Sequence, residues 1–291
     1  MRTFGLIGYP LSHSFSQKYF SEKFKRENIT DAEYKLFELK NIAELPSIIK
    51  NNFSLYGLNV TIPYKETVIP FLDELDETAK AVGAVNTIKI IRNSSLRSRI
   101  IAGEACLSGR QAISPNKKIA SVAKQPSNGG YKSVGYNTDV YGFRESLKPI
   151  LQEHYQKALI LGTGGAAKAV EYVLKQFGIE CLFVTRTHSP LKRGIKGDFK
   201  NLIVYEEINK HIINSYYLII NATPSGMYPE INNCPAIPYE SITKKHLLYD
   251  LIYNPEETLF LRKGKEKDAT TQNGLTMLRL QAKKAFEIWN S

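Results

Sequence analysis

The stretch KALILGTGGAAKAVEYVLKQFG, residues 157 to 178, restricts the fold more than any other part of the chain. An apolar run stops at Gly162, further glycines follow at 164 and 165, and an Ala-rich segment with helical character begins at once. Gly162, Gly164 and Ala167 satisfy G-x-G-x-x-[G/A] in the strand, turn, helix setting that gives this fingerprint its meaning. Small residues there let the backbone approach a pyrophosphate, whose charge sits well against unpaired helix N-terminal amides. The competing reading is a tight βαβ turn with no ligand.

The remaining chain repeats the alternation. FGLIG reads as a strand, then SFSQKYFSEKFKREN as a helix with Phe15, Tyr19, Phe20 and Phe24 near one face. EYKLFEL, LYGLNVTI and AVNTIKII read as further strands, separated by helices over NIAELPSIIKNN and KETVIPFLDELDETAKAV. Such alternation implies a mostly parallel sheet covered by helices. VYGFRESLKPILQEH reads as a helix, and CLFVTRT, YYLIINATPSGM and HLLYDLIYNP as strands running into polar loops. Open α/β sheets place ligands at such carboxyl ends. The final segment, GLTMLRLQAKKAFEIWN, carries Leu275, Leu278, Ala282, Ala285 and Trp289 at helical spacing, with Gln281 left unexplained by core packing.

Residues 92 to 132 break the pattern. They hold eight basic residues against Glu104 alone, which is +7 of the chain's +11, and only Tyr131 as an aromatic. The segment reads as a solvated, partly disordered insertion rather than a nucleic-acid footprint. Cys106, Cys181 and Cys234 lack CxxC or ligand spacing, and the five histidines form no metal motif, so free thiols in a reducing cytoplasmic compartment and no metal site are expected. No apolar run reaches the roughly 18 residues of a membrane helix. Where a NAD-binding unit usually carries an acid on the ribose, this chain has Thr185, Arg186 and Thr187. An Arg can grip a 2′-phosphate that an acid would repel, which favours NADP; a solvated strand-end Arg is the alternative.

GYPLSHSFS, NVTIPYK, GAVNT, GYNTD, GTGGAA, NATPSGM, YDLIYNP and NGLTMLRLQA occur in this order along the chain. In order and approximate spacing they resemble shikimate dehydrogenases across nearly everything outside residues 92 to 132. The resemblance implies that Ser14 and Ser16 bind the substrate carboxylate and that Asn59, Thr61, Asn86, Asp139, Tyr253 and Gln281 contact its hydroxyls. It makes Lys65 and Asp139 the catalytic pair. It assigns the cofactor to Gly162, Gly164, Gly165, Ala166, Arg186, Thr187, Asn221, Thr223 and Gly274.

The expected architecture is therefore two α/β domains flanking a cleft: a substrate domain over 1–139, containing the 92–132 insertion, and a Rossmann-like NADP-binding domain over 140–273. The C-terminal helix, 274–291, is expected to pack back on the substrate domain. The expected activity is NADPH-dependent reduction of 3-dehydroshikimate to shikimate by a monomer or homodimer, with no nucleic-acid or membrane partner. Three alternatives are a quinate/shikimate dehydrogenase using NAD, against which Ser16 argues, a catalytically silent homologue disabled by the insertion, and a nucleic-acid-associated protein using the basic segment.

Overall fold

In the computed structural model, which describes residues 1–11, 15–92, 130–186 and 201–291, the N-terminal strand β1 (Arg2–Gly8) is buried at six of its seven positions. A strand covered on both faces needs that continuous apolar run. The chain divides into two compact units, Met1–Leu75 with Ile88–Gly135, and Asp76–Thr87 with Tyr136–Ser291.

In the first unit β1 is followed by α1 (Phe15–Arg26), β2 (Ala32–Glu38), α2 (Leu45–Asn51) and β3 (Leu55–Val60). Strands β4 (Glu74–Leu75), β5 (Thr87–Arg92) and β6 (Tyr131–Tyr136) complete a six-stranded sheet of order β2-β1-β3-β5-β6-β4. β1 pairs in parallel with both β2 and β3. Of the aromatic residues expected on one face of α1, Phe20 and Phe24 are buried, and Phe20 stacks on Tyr34 with ring centroids 4.6 Å apart. Phe15 and Tyr19 are half-buried and stack on each other.

The helix expected over residues 65 to 82 does not form as one element. A 3-10 turn occupies Ile69–Phe71, β4 follows, and only α3 (Glu77–Val82) is α-helical. Pro70 lacks the amide a continuous helix needs. Asp76 starts α3 by accepting the Ala79 N–H at 2.8 Å, and Gly83, at φ 68°, stops it. The edges assigned to the insertion also shift: Arg92 ends β5, while Tyr131 and Lys132 begin β6. Residues 93–129, and with them the expectation of a solvated excursion, lie outside the described residues.

The second unit continues with α4 (Thr138–Leu147), β7 (Lys157–Leu161), α5 (Gly165–Gln176), β8 (Glu180–Thr185), β9 (Leu202–Val204), α6 (Lys210–Ser215) and β10 (Leu218–Asn221). It ends with β11 (Leu247–Asp250), α7 (Leu259–Lys265), β12 (Thr270–Gln272) and α8 (Leu275–Asn290). Its sheet is parallel throughout, in the order β12-β11-β10-β7-β8-β9. This is the doubly wound Rossmann order, with the reversal between β7 and β10. Ala167, Val170 and Val173 of α5 pack with Ala158 and Ile160 of β7 and Ile220 of β10 in the core on one face of the sheet. Strands β9 and β12 are too short, at three residues each, for alternation to reveal them in the sequence.

Candidate active site

In the first unit, the chain leaves β1 for β2 on one side, and β3 pairs on the other. That is a topological switch point, where the loops at the carboxyl ends diverge and leave room for a ligand. NVTIPYK follows directly from the end of β3. Thr61 donates its N–H to the Ile7 carbonyl at 2.9 Å, and Tyr9 donates to the Ile62 carbonyl at 3.1 Å, so the two loops are tied together. Gly8 is required here because a Cβ would overlap Thr61 Cγ2. Tyr64 closes the turn by donating its N–H to the Thr61 carbonyl at 2.9 Å and its hydroxyl to the Leu39 carbonyl at 2.6 Å. This turn presents a half-buried Lys65.

Asn59 is buried and accepts the Tyr34 hydroxyl at 2.8 Å. Burial pushes the Tyr34 phenol well above its usual range, offset in part by a hydrogen bond with Ser16. Ser16, Tyr34 and Asn59 thus form one hydrogen-bonded string. Ser14 lies outside the described residues.

In the second unit, Asn86, Thr87, Thr138 and Gln281 form a buried polar network. Asn86 Oδ1 accepts the Thr138 N–H at 2.7 Å and its hydroxyl at 3.1 Å, while Asn86 Nδ2 donates to Gln281 Oε1 at 3.4 Å. Asn137 caps α4 through Val140 N, and Asp139 lies buried in the first turn, where the helix dipole favours an anion. Gln281 reaches this group because α8 crosses α4 closely at Gly142, where a Cβ would come within 2.6 Å of the Met277 carbonyl. A core contact alone would not have required a polar residue on that helix.

The reversal between β7 and β10 places the Gly162 turn and the loop after Asn221 side by side. Gly162 adopts φ +110°, and a Cβ on it would sit 3.0 Å from Thr223 Cγ2. Gly164 caps α5 without any side-chain acceptor, so the first-turn amides of Gly165 and Ala166 are left for a ligand. Arg186 is exposed at the end of β8, and its charge acts on Tyr205, whose hydroxyl burial pushes up to about 12. This donor set fits a dinucleotide: a cradle that a side chain would fill, free amides and a cation beyond the next strand. Thr187 lies outside the described residues.

Asn221 has no exposed surface, and its side chain serves its own loop. Its Oδ1 accepts the Thr223 N–H at 3.1 Å and hydroxyl at 2.6 Å, and its Nδ2 donates to Asp250 Oδ1 at 3.0 Å and to the Ser225 carbonyl at 3.3 Å. Asp250 also accepts Ile252 N–H at 3.0 Å and Thr258 Oγ1–H at 2.6 Å. Burial pushes its carboxyl up to about 7, against these three donors, which favour the charged form. Gly274 starts α8 where a Cβ would overlap the Leu251 carbonyl, and Tyr253 is half-buried in the loop that follows β11.

Residues 6–88 match the shikimate dehydrogenase substrate binding domain family. The chain is 38% identical, over 98% of its length and 90% of the relative's, to the shikimate dehydrogenase (NADP(+)) of Carboxydothermus hydrogenoformans. The chain belongs to the shikimate dehydrogenase family. Shikimate dehydrogenase 1 from Peptoclostridium difficile shares its fold at a TM-score of 0.76 with 35% identity, covering 100% of this chain and 92% of that one. A Thermus thermophilus shikimate 5-dehydrogenase solved in complex with NADP(H) and shikimate aligns at 0.73 with 27% identity, over 99% and 93% of the two chains.

Within this shikimate dehydrogenase fold, Ser16, Asn59, Thr61 and Lys65 gather at one switch point, and Gly162, Gly164, Asn221 and Thr223 at the other. Asn86 and Gln281 are brought together across 195 residues. Sequence reasoning passed over Tyr34, Thr138 and Asp250. Thr138 and Asp250 stood inside quoted motifs, but nothing in a strand pattern marks Tyr34 as the partner of Asn59.

Proposed function

We propose that the chain catalyses the reversible NADPH-dependent reduction of 3-dehydroshikimate to shikimate, the step that would place it in aromatic amino acid biosynthesis. The observation that carries this reading is 38% identity, over 98% of the chain, to an enzyme named shikimate dehydrogenase (NADP(+)). Ser14 and Ser16 hold the substrate carboxylate, and Asn59, Thr61, Asn86, Tyr253 and Gln281 take its hydroxyls. Lys65 delivers a proton to the reacting oxygen and supplies positive charge where negative charge develops. Asp139 orients the reacting hydroxyl and shares its proton. NADPH, bound by the Gly162–Ala166 turn and selected by Arg186 with Thr187, supplies the hydride. A cytoplasmic monomer or homodimer, acting on no nucleic acid, completes the reading; among the described residues no helix is long and apolar enough to cross a membrane.

Steady-state assays with shikimate and quinate, each against NADP+ and NAD+, test it directly. Turnover of shikimate with NADP+ at the highest kcat/KM is expected. A preference for quinate with NAD+ would select the alternative substrate reading, and absence of turnover with every pair would leave a silent homologue.

A further inference from the structure

Asp250 ends β11 with no exposed surface and belongs to none of the groups assigned above. An isolated buried carboxylate is costly unless donors satisfy it, and here those donors come from Asn221, Ile252 and Thr258. The Asn221 contact does more than satisfy a charge. A side-chain amide can rotate by half a turn and exchange its donor and acceptor, but the Asp250 Oδ1 that faces it already accepts the Ile252 N–H at 3.0 Å, with Oδ2 turned to Thr258, so this oxygen meets Asn221 as an acceptor. Asp250 therefore admits one orientation of Asn221, with Nδ2 toward the carboxylate. That orientation aims Asn221 Oδ1 at the Thr223 N–H and hydroxyl, and Thr223 Cγ2 borders the space that a Gly162 side chain would fill. Because Asn221 is wholly covered, its side chain can act on a bound nucleotide only through this loop.

We propose that Asp250 is a positioning residue for nucleotide binding, fixing the Asn221 amide so that residues 221–225 close beside the Gly162 turn. The inference rests on the reading of that turn as the NADP site. Asp250→Asn keeps an acceptor toward Ile252 and Asn221 while its amide turns to the Thr258 hydroxyl, so the relay survives. Asp250→Ala removes it.

Titration of each full-length variant with NADPH, followed by nucleotide fluorescence, tests the relay. The expected result is a Kd raised tenfold or more in Asp250→Ala and within threefold of the parent in Asp250→Asn, with the shikimate KM at saturating NADP+ moved less than twofold. Asn221→Ala should weaken NADPH to the same degree, and the double variant should be no weaker than the weaker single, because the two act in one chain of contacts. A folded Asp250→Ala that binds NADPH like the parent overturns the proposal, as does equal weakening toward NADPH and shikimate, which marks a general loss of structure. If Asp250→Ala is insoluble, unchanged NADPH binding by Asn221→Ala overturns it instead. A parent protein that binds no NADPH removes the nucleotide reading itself, and the relay with it.

Discussion

Lys65 is half-buried on a turn tied to β1, and its proposed role concerns the transition state more than substrate capture. Lys65→Ala is expected to lose the general acid–base factor of about 10² to 10⁴ in kcat. Steady-state kinetics decide this: a variant that keeps kcat within a few-fold and changes only the shikimate KM would make Lys65 a positioning group. Arg186→Asp is expected to raise the NADP+ KM about tenfold to a hundredfold, the equivalent of roughly 1.5 to 3 kcal/mol for a charged hydrogen bond, while sparing NAD+. An unchanged NADP+/NAD+ ratio would remove Arg186 from cofactor selection. His246 is buried, donating Nε2–H to the Ile213 carbonyl at 3.1 Å and accepting Thr243 N–H at Nδ1, 3.0 Å away. Burial holds its pKa below the usual 6.5, so below that pH the unfolded chain takes up a proton that the folded chain resists. The resulting stability is complete above pH 6.5 and is lost as pH falls toward the folded pKa, by at most about 1.4 kcal/mol per pH unit. Asp250 contributes the opposite slope between its ordinary range and about 7, so the difference between parent and variant isolates the histidine. Urea unfolding of His246→Gln across pH 5 to 7 should show less loss of stability on acidification than the parent; parallel curves would contradict the assignment.

The helices show how an element can carry a site residue through a backbone contact. Helix α8 brings Gln281 to Asn86 and Thr138 only because Gly142 of α4 lets the Met277 backbone approach. Gly142→Ala inserts a methyl group into that crossing. Overpacking of this kind costs roughly 1 to 3 kcal/mol, and the strained crossing would also displace Gln281. Chemical denaturation should show the loss of stability, and the shikimate KM should rise by several-fold while the Kd for NADPH holds. Unchanged stability and KM would mean that α8 shifts freely without moving the network. The strand leading to Asn59 has a comparable dependence on Gly8, whose missing side chain leaves room for Thr61.

At the scale of the whole molecule, the chain passes three times between two α/β units, at residues 75, 87 and 135, and the insertion interrupts the first of them between β5 and β6. Both flanks of the insertion are anchored by described contacts. Arg92 donates to the Ile49 and Asn52 carbonyls at 2.7 Å and lies over the Tyr131 ring, while Asp73 accepts both the N–H and the hydroxyl of Ser133. Replacing residues 93–129 by a short Gly-containing turn is therefore expected to preserve folding and most dehydrogenase activity, with the net charge falling from +11 to +6 because six basic residues and one acidic residue leave. Insoluble protein, or soluble protein without activity, would make the segment structural.

The Gly162 fingerprint, the alternation of apolar runs and the ordered polar motifs were legible in the sequence because each depends on local backbone requirements: a positive φ, a strand or helix period, a cap. Those requirements carried the α/β class and the second unit's strand, turn, helix core, whereas the residues proposed for the site came from the resemblance to shikimate dehydrogenases. They could not reveal that KETVIPFLDELDETAKAV breaks at Pro70, since β4 gains its hydrogen bonds from β6, a strand more than fifty residues away. Nor could they show that Tyr34 orders Asn59, or that Asn221 turns away from solvent to meet Asp250. Those pairings join residues 25 and 29 positions apart, the first across β1 from β2 to β3 and the second between the adjacent strands β10 and β11, so burial and donor geometry, which no single segment contains, decided them.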